Sequence, residues 1–370
     1  MKVLITGGAG FIGSHTADRL LEEGYKVRIL DSLETPVHYR SNIPDYLDNR
    51  IELICGDVTK EHDLENALDG VDIVYHFAAF QDYLPLFSKF VEFNVTSTAR
   101  IFEIIVRNKL PIKKVIVASS QATLGEGLYV DSKGNDVLPD MRLEEDLKKG
   151  DWEVKSSDGR NIFLAITPET VSNPQNPYGM SKISEEMFAL QLGKRYKIPT
   201  VAMRYSIVQG SRQSFYNAYS GACRVFCLAF SQGKEPQIYE DGQQVRDFVN
   251  IHDVVDANLL VLNDERANYE MFNVGGGKAI TVSEFASACA EVFGVKNYQP
   301  KPCGKYRFGD TRHICSDISK LKKLGWKPTR TIYDSIKEYK EWLTKAPSLD
   351  NIIEKCNEQM KELNVLRDHT

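Results

Sequence analysis

The stretch MKVLITGGAGFIGSH, Met1 to His15, constrains this chain more than any other. Lys2 to Thr6 is predicted as a short buried strand, and Ser14 to Glu23 as an amphipathic helix that stops at Gly24. Gly7, Gly8, Gly10 and Gly13 fall between them, where a strand must turn sharply into a helix. Gly7 can take backbone angles that a side chain forbids. Gly10 leaves room for a pyrophosphate against the free N–H groups of the helix N-terminus. Gly13 lets the helix pack close to the sheet. A glycine pattern alone is weak evidence, but with a strand before it and a helix after it the pattern describes a dinucleotide-binding turn.

The next predicted strand, Lys26 to Leu30, ends in Asp31. An acid at that distance from the glycines is placed to hydrogen-bond the adenosine ribose hydroxyls. It would repel a 2′-phosphate, so the expected cofactor is NAD rather than NADP. Further apolar runs follow at Ile51 to Cys55, Val71 to His76 and Val115 to Ala118, each expected to lead into a helix. The fold class is therefore α/β, a Rossmann-like doubly wound parallel sheet with ligands at the strand C-termini. Asp57 is expected to meet the adenine, and Ala78-Ala79 to form a thin wall beside the cofactor.

The bulk properties agree. The 370 residues allow one large or two moderate domains, and 42% hydrophobic with 26% charged residues is the profile of a soluble globular protein. A net charge of −5 argues against nonspecific nucleic-acid binding. No apolar run reaches the roughly 18 residues of a membrane span. Val3-Leu4-Ile5 is too short for the apolar core of a secretion signal. Seven scattered cysteines suit a reducing cytoplasm, and no histidine or second cysteine pair joins Cys223 and Cys227, so no metal is expected.

Two places carry candidate chemistry. In NPYGMSK, Tyr178 and Lys182 stand at i and i+4 and share a helix face. A tyrosine alone has a pKa near 10 and is a poor base at neutral pH. A lysine one turn away favours the phenolate and can also hold the nicotinamide ribose. In VASSQATLGEG, a buried strand ends at Ser119-Ser120, and a hydroxyl there can hydrogen-bond a substrate oxygen as its proton moves.

Taken together, TGGAGFIG, Asp31, Asp57, HFAA, SSQATLG and YGMSK resemble the extended short-chain dehydrogenase/reductase family, in its nucleotide-sugar epimerase and dehydratase branch. The resemblance runs from Met1 to about Tyr333. It implies a catalytic triad of Ser120, Tyr178 and Lys182. It implies cofactor contacts from Gly7, Gly10, Phe11, Ile12, Gly13, Asp31, Asp57, Val58, Phe77, Ala78, Ala79, Asn94, Ser119 and Tyr205, besides Tyr178 and Lys182. YEDGQQVRDFVNIHD and YRFGDTRH look like the substrate motifs of that family, so Arg246, Arg307 and Arg312 would neutralise a diphosphate, with Gln81, Ser120 and Gln121 at the sugar. Guanidinium forks suit that task better than lysine.

The resemblance also implies a domain plan and a homodimer. The cofactor domain would hold residues 1–206, re-entered at about 248–274. A smaller substrate domain would be built from 207–247 and 275–330, and residues 331–370 would form C-terminal helices. Helices around Phe90–Asn108 and Asn176–Lys194 are the expected dimer surface. Ser120 lies further ahead of Tyr178 than the family's usual spacing, so an insertion lies within about 126–173, expected to be a flap beside the sugar. With QSFYNAYSGACRVF, this insertion looks most like the dTDP-L-rhamnose 4-epimerase group. Phe80 to Phe87 would line the sugar with it.

Departures matter. Gln121-Ala122 stands where related dehydratases carry an Asp-Glu pair, so elimination of water lacks its proton donor. Leu124 replaces a family tyrosine, and Ile207 replaces an asparagine of the diphosphate region, so the substrate can differ from that of the nearest relatives. The expected activity is NAD-dependent epimerisation of a nucleotide-diphosphate sugar at C4. A 4-ketosugar reductase and a non-catalytic NAD-binding regulator remain the alternatives.

Overall fold

The computed structural model describes residues 1–35, 37–38, 42–82, 85–217, 221–346, 358 and 360–369. Parts of the expected sugar-lining stretch 80–87, of 213–226 and of the C-terminal region lie outside the described residues. Seven strands form one sheet: β1 (Lys2–Thr6), β2 (Lys26–Asp31), β3 (Glu52–Cys55), β4 (Ile73–His76), β5 (Lys114–Ser120), β6 (Thr200–Tyr205) and β7 (Glu270–Val274). Their order is β3-β2-β1-β4-β5-β6-β7, and every pairing is parallel. The order reverses between β1 and β4, which opens a crevice at the strand C-termini.

Both faces of the sheet are covered, which is why its strands read as unbroken apolar runs. The covering helices are α1 (Phe11–Glu22), α2 (Glu61–Leu68), α3 (Ser97–Arg107), α4 (Pro177–Tyr196) and α6 (Ile251–Asn263), while α5 (Ala222–Ser231), α7 (Val282–Val292) and α8 (Ile332–Leu343) lie elsewhere. Val3 and Ile5 point to one layer, with Ala17 and Leu20 of α1 and Val254 and Val261 of α6. Leu4 points to the other, with Leu64 of α2, Ile101 and Phe102 of α3 and Leu190 of α4. Full burial of such a side chain contributes about 1.5–3 kcal/mol. Helix α1 begins at Phe11 rather than Ser14, because Gly10 already serves as its N-cap. Among the described residues no helix lies between β2 and β3. That connection instead sends Tyr46 back, and its hydroxyl donates to the Ala9 carbonyl at 2.7 Å.

A second cluster lies over the strand ends. Ile207–Gln209, Val245–Asn250 and Ala279–Thr281 make a small sheet, and α5, α7 and α8 pack beside it through Phe226, Phe285, Ile336 and Tyr339. The expected boundaries shift here. Helix α8 belongs to this cluster, because its apolar face is buried there, whereas Ile318, Leu321 and Trp326 pack on the main sheet's layer. The Trp326 indole N–H fixes that position by donating to the Asp253 carbonyl at 2.9 Å. Nor is the C-terminal region all helix. Leu366–Arg367 pairs as an antiparallel strand with Tyr306–Arg307.

The inserted segment has its own core. Tyr129–Val130, Asp136–Val137 and Phe163–Leu164 form a three-stranded sheet around Tyr129, Val154 and Ile162.

Candidate active site

A cavity of about 930 Å³ runs from the glycine turn, past the ends of β1, β4 and β5, to Arg246 and Arg307. Gly7, Gly10, Phe11, Ile12 and Gly13 line one end. Among the described residues no side chain caps the N-terminus of α1, so its first amides are available to a ligand. Gly7 has φ +65°, and a Cβ there would lie 2.7 Å from the Ala78 amide nitrogen. A Cβ on Gly13 would lie 2.5 Å from the Gly7 carbonyl oxygen. Both positions demand glycine, and together they leave a backbone cradle that fits a dinucleotide diphosphate.

Asp31 lines the same end at the tip of β2. Its carboxylate accepts from the Ala9 and Leu33 amides at 3.0 and 2.9 Å, and His38 Nε2 stands 3.5 Å away. Asp57, Val58, Phe77, Ala78, Ala79, Ser119 and Tyr205 also face the cavity. Asn94 does not. It is fully buried, its Oδ1 accepts from the Phe80 amide at 2.8 Å, and its Nδ2 donates to the Phe80 carbonyl at 3.0 Å and to Ser181 Oγ at 2.8 Å. A single π-helical turn, Val91–Thr96, aims it there. Asn94 thus holds the segment after β4 against α4.

The triad converges from two elements. Ser120 ends β5, and its Oγ accepts from the Ala122 amide at 3.1 Å. Helix α4 starts with Asn176 as N-cap, its Oδ1 accepting from the Gly179 amide at 2.8 Å, and with Pro177 in the first turn. That start places Tyr178 at the cavity wall, hydrogen-bonded to Ser120. Lys182 Nζ lies 6.0 Å from the centroid of the Tyr178 ring. It donates to the Ala118 carbonyl at 2.8 Å and to Glu185 at 2.6 Å. Burial raises the Tyr178 pKa, Lys182 pulls it down, Glu185 pushes it up and the Ser120 bond lowers it; the net direction is upward. Lys182 acts in the sense expected from sequence, but desolvation outweighs it.

At the far end Gln81, Gln121, Arg246 and Arg307 line the cavity. Gln121 Oε1 is buried without a donor among the described residues, and Arg307 lies over the Tyr239 ring at 4.9 Å. Arg246 is held by the 311–312 backbone, donating to the Thr311 and Arg312 carbonyls at 2.8 Å each. Arg312 departs from expectation. It is fully buried and does not line the cavity; its guanidinium is spent on Glu153 at 2.6 Å, Glu240 at 2.9 Å and Asp241 at 2.7 Å.

The insertion departs too, since no residue of 126–173 lines this cavity. It clasps the wall from behind. Arg142 donates to Glu240 and to the Asp310 carbonyl, each at 2.9 Å, and the Arg312 amide donates to Glu126 at 2.7 Å. Burial pushes the Glu126 carboxyl up to about 7, against the pull of Arg142.

Sequence reasoning passed over Glu185, Glu186 and Arg204. Ser119 Oγ donates to Glu186, which also pairs with Arg204 at 2.7 Å, entirely inside the protein. Glu185 had a legible signal: it stands three residues after Lys182, on the same helix face.

The model of the NAD dependent epimerase/dehydratase family matches residues 3–144 and 158–275, and the chain belongs to that family. It is similar to a dTDP-L-rhamnose 4-epimerase of Burkholderia thailandensis, 31% identical over 94% of this chain and 96% of that one. Among solved structures it is similar to the UDP-glucose 4-epimerase of Thermotoga maritima with UDP-glucose, at 29% identity and TM-score 0.75, covering 93% of this chain and 99% of that one. It is also similar to a Thermus thermophilus UDP-glucose 4-epimerase complexed with NAD, at 25% identity and TM-score 0.73, covering 94% and 100%.

Proposed function

We propose that the protein is an NAD-dependent nucleotide-sugar 4-epimerase. The observation that carries this is one cavity joining the glycine cradle, the Ser120–Tyr178–Lys182 triad and two arginines. Gly7 to Gly13 and the α1 N-terminus hold the cofactor diphosphate, Asp31 its adenosine ribose, and Lys182 its nicotinamide ribose. When bound, NAD supplies the hydride acceptor and donor for C4 and a positively charged ring. Tyr178 as phenolate takes the proton of the C4 hydroxyl, and Ser120 hydrogen-bonds the same oxygen. The substrate becomes a 4-ketosugar, turns in the cavity to offer its other face, and receives the proton back from Tyr178. Arg246 and Arg307 neutralise the substrate diphosphate. Gln121, with its spare carbonyl oxygen, accepts from a sugar hydroxyl.

The reading is tested by incubating the protein with UDP-, dTDP-, GDP- and CDP-sugars and following C4 configuration by NMR. Substrate deuterated at C4 inverts there and keeps its label. Stoichiometric consumption of free NADH or NADPH would instead identify a ketoreductase, and no turnover on the panel would leave an NAD-binding regulator.

Cofactor choice is checked separately. NAD binds much more tightly than NADP, because the Asp31 carboxylate repels a 2′-phosphate. Asp31→Ala narrows the gap, and it also weakens NAD, since the Ala9 amide loses its acceptor. Equal affinity of the unaltered protein for both cofactors overturns the role of Asp31.

The assembly is a homodimer in this reading. Phe87, Val91, Met180, Met187 and Phe188 leave apolar surface exposed on and beside α4, which an isolated chain would show to water. Sedimentation that finds only monomer at micromolar concentration refutes it. Among the described residues no helix is long and apolar enough to cross a membrane. The closely packed thiols of Cys223, Cys227 and Cys289 suit a reducing cytoplasm.

A further inference from the structure

Directly beside Lys182 stands a carboxylate that the chemistry above does not use. Glu185 Oε2 lies 2.6 Å from Lys182 Nζ, the residue is fully buried, and its second oxygen, Oε1, is enclosed without a donor among the described residues. A buried carboxylate with half its acceptors unmet is costly to keep ionised. Burial pushes Glu185 up to about 7, against the pull of Lys182.

Among the described residues Lys182 is its single counter-charge. On α4 the other ionisable neighbours are Tyr178 and Glu186. Arg204 of β6 is committed to Glu186, at 2.7 and 2.8 Å. His76 of β4 is pushed down to about 3 by burial and by Lys182, so it stays neutral. Strand β5 offers only the Ala118 carbonyl to this ammonium.

We infer that Glu185 is a positioning residue for Lys182, and that its charge sets the pH at which Tyr178 gives up its proton. This rests on the acid–base role proposed for Tyr178. The geometry gives the first half. Of the three ammonium hydrogens, one goes to Ala118 and one to Glu185, so the third is directed by elimination rather than by a flexible stem. Electrostatics gives the second. With Glu185 ionised, the Lys182–Glu185 pair is nearly neutral and its hold on a phenolate is weak. With a proton on Glu185, Lys182 acts alone and the phenolate is favoured. Protons on Glu185 and Tyr178 therefore oppose each other, and a bare Tyr-x-x-x-Lys arrangement has no such partner.

The test uses NAD-loaded protein and Glu185→Gln, which keeps the shape and removes the charge. Two quantities are followed: the pH dependence of kcat, and the ultraviolet titration of the Tyr178 phenolate, read against Tyr178→Phe. Both ascending limbs move to lower pH by about one unit. A limb that does not move, in a folded variant with full NAD content, overturns the inference, because a merely structural Glu185 would change melting alone. If Glu185→Gln fails to fold, Glu185→Asp retracts the charge by one methylene and shifts the limbs in the same direction by less; no shift there overturns it equally. Activity surviving in Tyr178→Phe would overturn the Tyr178 assignment itself. An inactive Tyr178→Phe beside an unmoved limb sinks the Glu185 inference only.

Discussion

Replacing Tyr178 with phenylalanine lowers kcat by about 10²–10⁴-fold, the usual contribution of a positioned acid–base group, and leaves NAD bound. The reason is geometric. The Tyr178 ring is almost buried and packs near Phe90, with centroids 6.5 Å apart, so phenylalanine keeps the wall of the cavity. Only the oxygen bonded to Ser120 disappears. Because burial holds this phenol above its ordinary pKa, the phenolate is the scarce form, and activity of the unaltered protein climbs as pH rises. In Tyr178→Phe that climb is lost along with the rate. A loss smaller than tenfold, or a variant that still climbs with pH, would hand the proton transfer to another group. Single-turnover measurement separates chemistry from product release, so that a slow release step does not hide the effect.

Replacing Arg312 with alanine damages folding before it touches substrate affinity. Removing one partner from a buried ion pair costs about 3–5 kcal/mol, because the remaining charge is left unpaired. Three carboxylates surround Arg312, and they differ in how much they lose. Glu240 is buried but keeps Arg142 at 2.9 Å, whereas Glu153 and Asp241 reach solvent and can be hydrated. The expected loss therefore sits near the lower end, about 3 kcal/mol. It is read as a lower urea midpoint with an unchanged slope. An unchanged midpoint with a strongly raised KM would restore Arg312 to the diphosphate.

That contrast shows where a single sequence is legible. Strand β1 and the glycine turn depend on residues close in the chain, and the boundaries Lys2–Thr6 match those expected. Asp31, Tyr178 and Lys182 are recognisable because their spacing is itself the signal. Arg312 lies in a family-like motif, but its partner Glu153 is 159 positions away, within an insertion whose polar composition says nothing about what it packs on. The Arg142–Glu240 contact, 98 positions apart, is hidden in the same way. The burial of Asn94 away from the cavity wall is hidden for a subtler reason. One π-helical turn rotates every later side chain on that helix, and no residue in VEFNVT announces it. The stretch between β2 and β3 supplies Tyr46 to the glycine turn, a contact 37 positions apart that local pattern does not announce.

The short strand Leu366–Arg367 gives the site an order in time. It pairs with Tyr306–Arg307, the Phe308 amide donates to the Val365 carbonyl at 2.9 Å, and Met360 lines the cavity. Protein synthesis delivers these residues well after everything they brace. A nascent chain that has emerged through α8 already owns all seven strands, the glycine cradle and the triad, with both faces of the sheet covered. The wall that carries Arg307 is still waiting for its partner strand. The cofactor end is thus built without the C-terminal strand, whereas the wall that carries Arg307 is braced by residues synthesised well after it.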